Sequence, residues 1–253
     1  MANQKIQDLI NRYRQRNNYD TFAEDGRTLF LKYDQEEIIR RFHLKADTDN
    51  IYFSYLSFPA RIVRKTGEVQ IITTYPGLLA DTTNREDSQN GPARSEDPGN
   101  SQGSAYRKAS VDITMTVYEM FTYSLHNDPP VLSGQWASVS VLGGIIGAYH
   151  ANSLGSEDPI RQLAGKSAEL KKACAAIHGT PVAGTEDVSY QIPVLAGFPV
   201  WFQFWDGDEE FPPNSQFLLD RNALQFIRYE TVWYLTASLR AYLLDFVNGR
   251  KIL

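Results

Sequence analysis

The heptapeptide at 199–205, PVWFQFW, constrains the fold more than any other stretch of the chain. Alternate residues of a β-strand point to opposite faces, so Trp201 and Trp205 share one side while Phe202 and Phe204 share the other. Large apolar groups on both sides predict a central strand covered on both faces. Such a strand needs neighbours, and other segments supply them. Residues 51–56, 60–64 and 69–74 are rich in β-branched and aromatic side chains. The last two are joined by Lys65-Thr66-Gly67-Glu68, a short Gly-containing hairpin loop. Pro59 marks the first junction, because proline cannot donate to a central ladder. These three runs predict an antiparallel meander, and 190–194 predicts a further strand beside 199–205.

Elsewhere the apolar period lengthens to that of a helix. Ile6, Leu9, Ile10 and Tyr13 form one face of a helix over 4–16. Asp34 and Glu37 have capping-box spacing at the start of a short helix carrying Ile38, Ile39 and Phe42. Residues 110–126 form a helix with a stripe of Ile113, Val117, Met120, Phe121 and Leu125, stopped by Asp128-Pro129-Pro130. Residues 136–142 suit a short strand or an extended crossing. Asp158-Pro159 reads as a cap and a first-turn proline, opening a helix that continues through Leu163, Leu170, Cys174 and Ile177 to His178 and closes at Gly179. The last helix is expected from an Asp220 cap to about Val247, and its nearly uncharged middle marks it as a core helix. The expected fold is α+β: one domain over 1–253, an antiparallel sheet of about five strands, and a long C-terminal core helix. Residues 81–104 contain no aliphatic side chain larger than Ala93 and are expected to be a polar surface insertion.

Charge and cysteine content narrow the function classes. Twenty-five basic and 30 acidic residues give a net charge of −5. That balance disfavours a nucleic-acid partner, which needs a basic face. No apolar run approaches the length needed to span a bilayer, so no membrane partner is expected. Cys174 is the only cysteine, which precludes an intrachain disulfide and suits a cytoplasmic protein. The polar N-terminus lacks the apolar core of a signal peptide.

Four constellations invite a chemical reading. Gly165-Lys166-Ser167 matches the end of a phosphate-binding loop, but the required glycine five residues earlier is Ile160. Gly143-Gly144-Ile145-Ile146-Gly147 lacks dinucleotide-fingerprint spacing and reads as a tight backbone crossing. Asp206-Gly207-Asp208-Glu209-Glu210 gathers four carboxylates, yet Phe211 and Phe217 stand where a calcium loop needs Gly and Glu. It reads as a solvated acidic turn before two prolines. The four histidines have no ligand spacing, so no metal site is expected. Glu230 stands out on the last helix, with Phe226, Ile227, Trp233 and Tyr234 at helical neighbour positions. A carboxylate in that setting is expected to be desolvated and to need a partner such as an arginine.

The order of features extends the reading. YFSYLSFPARIVRKTGEV is followed by VYEMFTYSLHNDPPVLSGQW, then by IPVLAGFPVWFQFWDGDEEFPPNSQFLLD and the final helix. With Leu132-Ser133-Gly134-Gln135-Trp136, Gly207 through Pro212, and Leu218-Leu219-Asp220 as its most specific parts, this order resembles the prokaryotic family known as domain of unknown function 3786, over roughly residues 40–247. The resemblance implies no reaction, cofactor or catalytic residue. The iron–sulfur module of some members does not carry over, because this chain has one cysteine. The residues favour a small-ligand or cofactor-binding domain, the cofactor unspecified, with Trp136, Trp205, Asp208, Glu209 and Glu230 as ligand-binding candidates. Two alternatives stay open: a metal-assisted or acid–base enzyme using Asp208, Glu209 and Glu230, and a non-catalytic protein-interaction domain.

Overall fold

The computed structural model describes residues 18–80, 105–126, 131–143 and 159–251. The helix expected at 4–16 and the insertion at 81–104 lie outside them. In chain order the elements are helices α1 (Asn18–Lys32) and α2 (Gln35–Arg41), strands β1 (Lys45–Ala46), β2 (Asn50–Tyr55), β3 (Phe58–Val63), β4 (Val69–Ile71) and β5 (Arg107–Lys108), and helix α3 (Val111–Thr122). Strand β6 (Trp136–Ser138), the short helix α4 (Val139–Leu142) and helix α5 (Ser167–Ala176) follow. Strands β7 (Thr180–Pro181), β8 (Val188–Leu195), β9 (Phe198–Trp205) and β10 (Asn214–Asp220) lead to the final helix α6 (Tyr229–Val247).

All ten strands join one antiparallel sheet, in the order β5-β4-β3-β2-β8-β9-β10-β6, with β1 on β2 and β7 on β8. The class is therefore α+β, but the sheet is twice the expected size. Three of the unforeseen strands, β1, β5 and β7, are two residues long, too short for alternation to register. The fourth, the seven-residue β10, was missed because Asp220 was read as a helix cap, and β6 stands within the possible short strand at 136–142. The two long hairpins are closed by left-handed pairs, Leu56-Ser57 and Ala196-Gly197, the backbone of a type I′ turn. Their tips overlap where Tyr55 pairs with Leu195 and the Leu56 N–H donates to Val194. That short overlap fuses two smaller sheets into one.

The helices cover one face. Phe53 meets Phe121 of α3, Tyr55 shares a 2.6 Å hydrogen bond with Ser238 of α6, and Phe58 packs on Tyr242. The same parity in β9 buries Phe198, Val200, Phe202 and Phe204. The opposite parity leaves Trp201 and Trp205 half-buried. The strand expected to be covered on both faces is interior to the sheet, but among the described residues its tryptophan side is less covered than its phenylalanine side. Trp201 is sheltered instead by Trp136, edge-on at 5.5 Å, and its indole donates to Ser189.

Helix α3 begins where Ser110 accepts from the Ile113 N–H, and α2 where Asp34 accepts from Glu36 and Glu37. The helix expected from Asp158 to His178 is divided. Pro159–Leu163 is a 3₁₀ turn, Gly165 is left-handed at φ +74°, and α5 starts only at Ser167. The final helix also starts later than expected, at Tyr229, after a 3₁₀ turn at Ala223–Gln225.

Candidate functional site

Three strand ends build one pocket. Val188 pairs with Phe204, which puts Asp187 across from Trp205, and Trp205 itself pairs with Asn214. Cross-strand neighbours share a face, so Asp187, Trp205 and Asn214 form a row at the edge of the tryptophan side of the sheet. The β9–β10 turn closes over that row with Gly207, Asp208, Phe211 and Pro212. The resulting cavity has a volume of about 510 Å³, within the range of small-molecule sites.

The turn is held from inside. Gly207 is left-handed at φ +79°, and a Cβ there would meet the Pro213 nitrogen at 2.6 Å and the Phe211 carbonyl at 2.7 Å. Only glycine fits both constraints. Asp208 Oδ1 accepts from the N–H groups of Glu210 and Phe211, and the Asp208 N–H donates back to the Phe211 carbonyl. Asp187 is fixed in the same manner, through Oδ2, by the Asp206 N–H at 2.8 Å. Phe211 remains 67% exposed at the rim, among the most exposed large apolar side chains described.

Asp206 faces the other way and has a structural task. It accepts from the Gly165 N–H and from the Ser167 hydroxyl. The Gly-Lys-Ser segment thus holds this chain's own carboxylate, and Asp206, just past β9, fixes the approach to α5, whose N-cap Lys166 makes no side-chain cap bond. Gly143 also has a structural explanation: a Cβ there would meet the Tyr229 ring at 2.2 Å. Gly144 and the residues after it lie outside those described.

The expected site residues are not all together. Trp205 and Asp208 line the pocket; Glu209 belongs to the same turn but is exposed and does not line it. Trp136 pairs with Asp220, at the opposite end of β10 from Asn214, roughly 20 Å away at strand rise. Glu230 is corrected outright: it is solvent-exposed in the first turn of α6. Phe226 and Ile227 precede the helix, so the helical spacing that implied burial does not apply. The buried carboxylate paired with arginine is Glu119 of α3, 3.3 Å from Arg228. Burial pushes its carboxyl above the ordinary range, against the pull of Arg228. Asp187 and Asn214 were missed because strand register, not local pattern, brings them to Trp205, and Phe211 because the fold of the β9–β10 turn carries it there. Among the described residues, no three His, Cys, Asp or Glu side chains form a metal-binding group.

The far end of β10 has its own constellation. Asp220 Oδ1 accepts from the Ser133 N–H, the Ser133 hydroxyl and the Asn222 N–H, and Oδ2 accepts from the Gly134 N–H at 2.7 Å. Burial alone would raise this carboxyl, but those hydrogen bonds win and hold it below the usual carboxylate value. The Leu-Ser-Gly-Gln-Trp loop is thereby tied to the Leu-Leu-Asp end of the strand. The family model described as Domain of unknown function (DUF3786) matches residues 98–241, more than half of the chain. The chain belongs to that family. The DUF3786 match takes in the pocket and the Asp220 tether, while the meander of β2, β3 and β4 precedes it. No curated protein and no solved structure matches the chain.

Cys174 is fully buried in α5, and burial pushes its thiol up to about 12. It is a core residue, with no thiolate for chemistry. No described helix is long and apolar enough to cross a membrane.

Proposed function

We propose that this DUF3786 protein is a small-ligand-binding domain whose site is the Trp205–Asp208 pocket. The observation that carries the reading is a preformed cavity of about 510 Å³ walled by Trp205, Phe211 and Pro212, with Asp187, Asp208 and Asn214 as its polar groups. Apolar walls with a few fixed polar groups are the usual composition of a ligand site. The glycine-dependent turn and the hydrogen-bonded carboxylates support it further, since groups already held in place lose little entropy when a ligand arrives. An exposed phenylalanine at the rim has no packing role to explain it. The reading also includes a cytoplasmic setting, supported by a lone, buried cysteine.

A thermal-shift screen with a diverse small-molecule library tests the reading. Hits should stabilise the wild type and lose their effect in the Trp205→Ala/Phe211→Ala double variant, because a ligand that binds only the folded state raises apparent stability with the logarithm of its concentration over Kd. Hits that stabilise both proteins equally would place the ligand elsewhere.

A further inference from the structure

We propose that the ligand of this pocket is a small organic cation, an ammonium compound; the inference rests on the pocket reading above and names its ligand class. The first support is the sign of the charge. Asp187 and Asp208 line the cavity, and among the described residues no Lys, Arg or His does. Glu186, Asp206, Glu209 and Glu210 flank them in the same two loops. None of these six carboxylates belongs to an ion pair formed among the described residues. A concave site walled by one sign of charge concentrates ligands of the other sign.

The second support is the aromatic wall. A cation over the face of Trp is attracted by the ring quadrupole, and an aromatic cage is the common solution for quaternary ammonium groups. Trp205 and Phe211 supply two such rings beside the two carboxylates. The third support is how the carboxylates are held. Asp187 uses Oδ2 and Asp208 uses Oδ1 for backbone N–H groups. Among the described residues, nothing donates to Asp187 Oδ1 or Asp208 Oδ2. Each group is therefore oriented by one oxygen and leaves the other to interact with a ligand. The carboxylates do not converge as a three-ligand metal group, and a cavity of this volume with apolar walls suits an organic ion more than a bare one.

The test is an NMR titration of the full chain, read at the Trp205 indole, with three probes: choline, its neutral carbon isostere dimethylbutanol, and propionate. Choline should shift Trp205 saturably, and the neutral isostere should bind about tenfold more weakly or worse. The Asp187→Asn/Asp208→Asn variant keeps an acceptor oxygen for each turn and should bind choline about tenfold more weakly while unfolding as cooperatively as wild type. Phe211→Ala, at an exposed position, should also weaken choline. Equal binding of the isostere or propionate at Trp205 would overturn the cation inference and leave the pocket reading standing. Silence of Trp205 towards all three probes at millimolar concentration would overturn both. A trimethyllysine peptide that bound far more tightly than choline would replace the small-molecule occupant with a protein partner.

Discussion

Asp220 organises more backbone than any other described side chain. Four hydrogen bonds reach one carboxylate, and three come from backbone N–H groups. Asp220→Ala is expected to cost about 3 kcal/mol in urea denaturation, the scale for removing a buried charged acceptor. Its carboxyl is held low in the fold, so its contribution is present above the unfolded value and fades as pH falls through the folded one. Asp112 behaves oppositely. Burial raises its carboxyl from 3.8 to about 6, so its favourable, protonated state is complete below the unfolded value and is lost as pH rises through about 6. Asp112→Asn should therefore gain stability relative to wild type between pH 4 and pH 7, by about 2 kcal/mol. A gap that stayed constant with pH would refute that account. Glu230→Gln should change stability by less than about 0.5 kcal/mol, as exposed substitutions do. The residue types at these positions were legible in the sequence, but their burial was not. Glu230 was read against neighbours on a helix whose cap stands eight residues later than expected, at Arg228, and Asp220, taken for a helix cap, ties down a loop 86 residues earlier.

At the scale of elements, local chemistry was easier to read than long-range capping. The Lys65–Glu68 loop, the Asp34 cap and the strand at 199–205 each depend on residues within a few positions, and each stands where the sequence places it. The break between Leu163 and Ser167 depends on Asp206, some 40 residues on, which accepts from Gly165 and Ser167. No helical periodicity could report that. The three two-residue strands depend on neighbours already in the sheet. Close approaches have the same character: Gly143 admits the Tyr229 ring with no room for a Cβ. Gly143→Ala is expected to destabilise the protein by about 1–3 kcal/mol through overpacking, measured as a lowered denaturation midpoint with an unchanged slope. An unchanged midpoint would mean that Tyr229 swings away at no cost.

At the scale of the molecule, two antiparallel sheets meet at one residue pair, yet the described core is a single cluster drawing on both sheets and on α1, α2, α3, α5 and α6. Helix α6 links them through α5, with Ser238 bonded to Tyr55 of the first sheet and Tyr242 donating to Ala173 of α5, which packs on β8 of the second. One core across a short strand junction predicts one cooperative transition. Amide exchange in β3 and β9 should therefore report the same opening free energy, and two well-separated values would show that the sheets unfold independently. The tryptophan face of the second sheet lies opposite the described helix layer, and the pocket sits at its end. The tryptophans divide this surface usefully: Trp205 lines the pocket, while Trp136 and Trp201 pack together toward the other end. The most direct measurement is therefore the indole N–H spectrum of the protein as the hits from the thermal-shift screen are added. A shift confined to Trp205, with Trp136 and Trp201 unmoved, is the predicted result; shifts at Trp136 and Trp201 with Trp205 unmoved would contradict the account.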